Sequence, residues 1–160
     1  MANIGYVTSR RTLRPEKIGE ILNRLNQTQF KGVLKIEASA DDSWAVHCPL
    51  GSDDWTQRQC WLDTRRKFKI SHGGRGGAFV WWVDFSISNA VALEYDGMIT
   101  DDGIPDRMTP SKDYFPTFSA FLREHYSHVK PDVLRFLVES ELSMTPPEFQ
   151  DEAQKLLNSL

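Results

Sequence analysis

Residues 73–85 read GGRGGAFVWWVDF, four glycines around Arg75 followed by an aromatic-rich apolar run. That run constrains the fold most, because so many large apolar side chains in succession must be buried. At period two, Phe79, Trp81, Val83, Phe85 and Ile87 take one face, and Val80, Trp82, Asp84, Ser86 and Ser88 take the other. This alternation predicts a strand over residues 78–88, with Trp81 turned into the core and Trp82 pointing the opposite way. Ser88-Asn89 then reads as a turn, and AVALEY (90–95) as the returning strand.

The rest of the chain punctuates itself more plainly. Pro15 opens a predicted helix to Asn26, with Ile18, Ile21, Leu22 and Leu25 at i, i+3, i+4, i+7. GVLKIEAS and SWAVHCPL flank ADD and read as a hairpin. SDDWTQRQCWLDTRR fits either a short helix capped by Ser52, Asp53 or Asp54, or a strand through Cys60–Leu62. KFKIS (67–71) predicts a strand with Phe68 and Ile70 on one face and Lys67 and Lys69 on the other. DGMITDDGIPD is rich in turn residues. The last third is helical, in TFSAFLREHY, KPDVLRFLVESEL and TPPEFQDEAQKLLNSL, and Thr145 with Glu148 forms a capping-box pattern.

Strands thus group together and helices group together. The expected fold is α+β in a single domain, 1–160: an antiparallel sheet of about five to six strands over residues 33–100. One helix precedes it, and two or three C-terminal helices pack on one face. The missing βα alternation excludes a doubly wound dinucleotide fold.

RGGAFVWW partly resembles the aromatic signature strand of RNA-recognition-motif domains, through Arg75, Gly76, Ala78, Phe79, Val80 and Trp82. Gly77 stands where that family carries its first stacking aromatic, and the match spans eight of 160 residues, so membership is not expected. A phosphate loop is not expected either. The G-x-x-x-x-G-K-[ST] pattern is absent, and a strand is expected where such a loop needs a helix N-terminus. The loop reads instead as a hairpin connection whose Arg75 can reach a partner.

The candidate binding residues are Arg65, Lys67, Lys69, Arg75 and Trp82. Lys67, Lys69 and Arg65 share the solvent face of one strand, and Trp82 joins them if strands 67–71 and 78–88 pair. The carboxylates Asp96, Asp101, Asp102 and Asp106 miss the spacing of a calcium loop. His125 and His128 are three apart, and His47 and Cys48 point to opposite faces of a strand. No G-x-S-x-G, H-E-x-x-H or C-x-x-C occurs, so neither a catalytic set, a cofactor nor a metal is expected. Cys48 and Cys60 read as free thiols of a reducing compartment.

The formal charge of −3 divides unevenly: 13 Lys/Arg against 8 Asp/Glu through residue 75, then six against fourteen. Such asymmetry steers charged partners, or copies of the chain head to tail. The expected function is a non-enzymatic protein–protein interaction or assembly subunit, of the kind bacteriophage and other mobile elements use as structural or accessory proteins. Self-association or a protein partner is expected, no membrane, and a cytoplasmic or virion location. Two alternatives are a hydrolase whose His and Asp residues converge in space, and a single-strand nucleic-acid binder using Lys67, Lys69 and Trp82.

Overall fold

In the computed structural model, which describes residues 3–39, 41–49, 55–72, 77–101 and 104–160, the chain begins β1 (Asn3–Thr8), α1 (Pro15–Gln27), β2 (Lys35–Ser39), β3 (Ser43–Pro49), β4 (Trp55–Asp63) and β5 (Lys67–His72). It continues α2 (Ala78–Tyr95), β6 (Met98–Asp101), β7 (Ile104–Met108), α3 (Phe118–His125), α4 (Pro131–Leu142) and α5 (Pro147–Asn158). The strands form one sheet in the order β2-β3-β4-β5-β1-β6-β7, and every pairing is antiparallel. The expected α+β class holds, with the helices gathered on one face. The sheet has seven strands, more than the five to six expected, and reaches further than residues 33–100, because β1 joins between β5 and β6 and β7 lies beyond residue 103.

The largest correction concerns the aromatic run. Residues 78–88 are no strand, Ser88-Asn89 is no turn, and AVALEY is no returning strand: all lie within the 18-residue helix α2. The physical reason is that the run is apolar nearly all round, so it satisfies a period of 2 and a period of 3.6 equally well. A helix hydrophobic on every side belongs in the centre of a core, and α2 is sandwiched there. The sheet lies on one side of it, through β1, β5 and β6, and α1 and α3 pack against it elsewhere. Its true stop comes at Asp96, which is left-handed (φ 50°), followed by Gly97, whose N–H donates to the Ala92 carbonyl at 2.8 Å. A Cβ on Gly97 would collide with the Thr8 carbonyl of β1, so glycine is required at this crossing.

The two tryptophans therefore exchange roles. Trp82 is fully buried and Trp81 only half so. Trp82 sits among Phe30, Phe79, Phe118 and Phe149, with ring centroids 5.1 to 5.8 Å away, and its Nε1 donates to the Phe115 carbonyl at 2.9 Å. Those rings come from α2, α3, α5 and the segment after α1, so one side chain ties the helical layer together.

Other expectations hold. Helix α1 starts with Pro15 at its first turn and buries Ile18, Ile21, Leu22 and Leu25. The hairpin is β2–β3. The ambiguous stretch is strand β4; its proposed caps Ser52, Asp53 and Asp54 lie outside the described residues. The capping box does not form. Thr145 Oγ1 donates back to the Glu141 carbonyl at 2.7 Å, and α5 begins after Pro146.

Buried polar groups on α2 are matched by specific partners. Arg58 of β4, fully buried, pairs with Asp84 at 2.7 Å. Asn89 exchanges two 2.9 Å hydrogen bonds with the Ser111 backbone. Burial pushes Cys48 up to about 12 and Cys60 well above its usual range, so both thiols stay protonated.

Candidate binding face

The helices that lie on the sheet, α1 and α2, cover the side carrying Val7, Phe68, Ile70, Cys60 and Val46. Strand alternation turns the intervening residues to the other side. The register aligns them in rows. Trp61 stands beside Lys69, Lys69 beside Tyr6, and Tyr6 beside Thr100, across β4, β5, β1 and β6. The neighbouring row runs Asp63, Lys67, Thr8, Met98. Each of these eight side chains is half-buried. Trp61 and Tyr6 are two strands apart, about 10 Å at a spacing of ~4.8 Å per strand.

The polar groups of this face are organised around Tyr6 and Asp63. The ammonium groups of Lys67 and Lys69 lie 5.8 and 5.6 Å from the Tyr6 ring centroid, a cation–π arrangement. Asp63 accepts the backbone N–H groups of Arg65 and Lys67 at 2.9 and 3.1 Å and holds Lys69 at 3.3 Å. Burial alone would raise the Asp63 carboxyl; the Arg65 N–H, the Lys69 ammonium and the Lys67 N–H outweigh it and hold it below the usual range. Arg66, left-handed at φ 58°, closes the β4–β5 turn and donates through Nη1 to the Arg10 carbonyl at 2.6 Å. Arg10, Arg65 and Arg66 are exposed, so cations cluster at this end of the sheet. At the far edge Lys35 holds Glu37 at 3.1 Å, and His47 Nε2 lies 3.7 Å from Glu37.

Three of the five expected binding residues thus come together: Lys67 and Lys69 on the open face, with Arg65 at its corner. Trp82 does not join them. It belongs to helix α2, not to a strand paired with 67–71, and is buried on the opposite side of the sheet. Arg75 lies outside the described residues. The aromatics that do flank the lysines, Tyr6 and Trp61, were not singled out from the sequence. Period-two alternation in NIGYVT and QRQCWLD already places them opposite Val7 and Cys60; what was missing was the register that sets β1 beside β5.

The glycine-rich loop also leads somewhere unexpected. A helix N-terminus follows it, in place of the expected strand. Glu141 of α4 occupies that terminus, where its Oε2 accepts the Ala78 N–H at 2.8 Å and its Oε1 accepts the Tyr126 hydroxyl at 2.8 Å. The carboxylate takes the position an anion would favour. A Cβ on Gly77 would collide with it. The RNA-recognition likeness ends here as well, since its strand is a helix. Between α2 and the sheet, Gly5, Trp81, Asp84, Phe85, Ser88 and Asp101 line a cavity of ≈ 20 Å³, room for about one water.

No family model matches this chain, and comparison with curated proteins and with solved structures gave no match. Among the described residues, no helix is long and apolar enough to cross a membrane.

Proposed function

We propose that this chain is a non-enzymatic interaction or assembly subunit that takes a protein partner on the open face of its sheet. The row Trp61–Lys69–Tyr6, turned away from the helices, carries the reading. Tryptophan, tyrosine and neighbouring cations are what interface cores and their surroundings enrich. Two of the histidines support binding over a hydrolase built from converging His and Asp residues. His47 meets Glu37 on the open sheet surface, and His125 stacks on the Phe121 ring at 5.4 Å. The cytoplasm, or a virion if the subunit is a phage component, is the setting this reading implies.

The test is affinity capture from the native source at about 0.15 M salt, comparing wild type with Tyr6→Ser/Trp61→Ser, each confirmed folded by circular dichroism. Wild type is expected to retain a protein that the double variant loses. Equal retention by both refutes the reading. A second reading, single-strand nucleic acid, rests on the two ammonium groups over Tyr6 and on the cations at the β4–β5 turn. A gel shift at low salt that fades as salt rises selects it.

A further inference from the structure

We infer that the open sheet face receives helix α4 of a second copy of this chain. This rests on the reading of that face as the binding surface and names its occupant. Helix α4 buries only Val138 and Glu141 fully, and it exposes an apolar pair on its outer side: Phe136 is 68% accessible and Val133 50%. Of the nine phenylalanines, Phe136 alone is exposed. Asp132 and Glu139 stand four residues before and three after it, so they flank Phe136 on the same helical face. Arg135 lies further round.

The two surfaces match in chemistry and in scale. One offers Trp61 and Tyr6 with Lys67 and Lys69 beside them; the other offers Phe136 and Val133 flanked by two carboxylates. Asp132 and Glu139 are separated by about 10 Å along the helix axis, at ~1.5 Å per residue. Lys67 and Lys69 are two residues apart on β5, about 7 Å at ~3.4 Å per residue, so the two carboxylates span both ammonium groups. The uneven charge of the chain has the same sense, basic in its strand-rich front and acidic in its helical back. The helical layer is built on α2, on the opposite side of the sheet from the open face. Contact between copies is therefore head to tail, and it continues into longer assemblies instead of closing at a dimer.

Sedimentation analysis of the purified full chain from about 1 μM to about 1 mM tests this. Wild type is expected to grow in mass beyond a dimer as concentration rises, less so at high salt. Phe136→Asp, which blocks α4, and Lys67→Glu/Lys69→Glu, which blocks the sheet, are each expected to stay monomeric, with association weakened about 30-fold or more. An equimolar mixture of the two retains one intact α4 and one intact sheet face, so it is expected to form a dimer and to stop there. Tyr6→Ser replaces the lysine variant if that one melts early. A wild type that is monomeric throughout, single variants that still assemble, or a mixture that gives no dimer overturns the inference. If wild type stays monomeric while Tyr6→Ser/Trp61→Ser still loses its captured protein, the second copy is wrong and the binding face stands.

Discussion

Replacing Trp82 by alanine should be among the most damaging single changes this protein can suffer, and much worse than the same change at Trp81. Trp82 is fully enclosed, makes edge or tilted contacts with four phenylalanine rings, and spends its indole N–H on the Phe115 carbonyl. Truncating a buried aromatic to alanine costs about 3–5 kcal/mol, because the lost contacts are followed by a cavity the surroundings fill only in part. The Phe115 carbonyl loses one of its two donors and keeps Gln29 Nε2 at 3.2 Å, so the lost hydrogen bond adds little to that range. For a chain of this size each kcal/mol lowers the melting temperature by roughly 2–4 °C, so a drop of about 6–20 °C is expected. Trp81 is half-buried and stacks on Phe85 at 5.8 Å. Its truncation removes less enclosed area and should cost about 1–2 kcal/mol. Thermal melts and urea titrations of the two variants read the difference directly. If Trp81→Ala proves the more damaging, Trp82 is not at the centre of the core and the helical placement of residues 78–95 is wrong.

Three further outcomes follow from buried groups. Arg58→Met leaves Asp84 charged without its buried partner and should cost about 3–5 kcal/mol, whereas Arg58→Met/Asp84→Leu should regain most of that; equal destabilisation in urea titrations would refute the pairing. Glu141→Ala removes the carboxylate cap of α2 and should cost about 1–2 kcal/mol, and Gly77→Ala should be less harmful in that background than in wild type, as a double-mutant cycle would show. Cys48 and Cys60 titrate higher folded than unfolded because they are buried, so the unfolded chain loses these protons first. The contribution of these thiols should be level below pH 9 and fall as pH rises from 9.0 toward about 12, with half-buried Tyr114 and Tyr126 acting in the same direction. Denaturation at pH 7, 9 and 10 checks this, and a stability rising over that range would contradict it.

What the sequence disclosed depended on contrast between residues. Helix α1 and strand β5 were legible because apolar and polar positions alternate cleanly there, as Ile18-Ile21-Leu22-Leu25 and Phe68-Ile70 against Lys67-Lys69. Helix α2 was not, because Phe79 to Ile87 is nearly all apolar and its two polar residues, Asp84 and Ser86, alternate at period two. Its length without a glycine or proline, up to Asp96-Gly97, was the better guide, since few strands run 18 residues. Half of the binding face was visible as Lys67 and Lys69. The other half depended on register. Tyr6 lies more than sixty residues from Lys69 and meets it only because β1 inserts between β5 and β6. The capping of the Ala78 N–H by Glu141 was equally hidden, being a contact between residues 63 apart in sequence on separate helices.

The claim that the open sheet face is the working surface is tested most directly by hydroxyl-radical footprinting of the protein alone and saturated with its captured partner. Tyr6 and Trp61 are expected to be oxidised in the free protein and protected in the complex, while Trp82 is unreactive in both because it is sealed in the core. Equal oxidation of Tyr6 and Trp61 in the two states, with protection elsewhere, would place the partner on another surface and contradict the account.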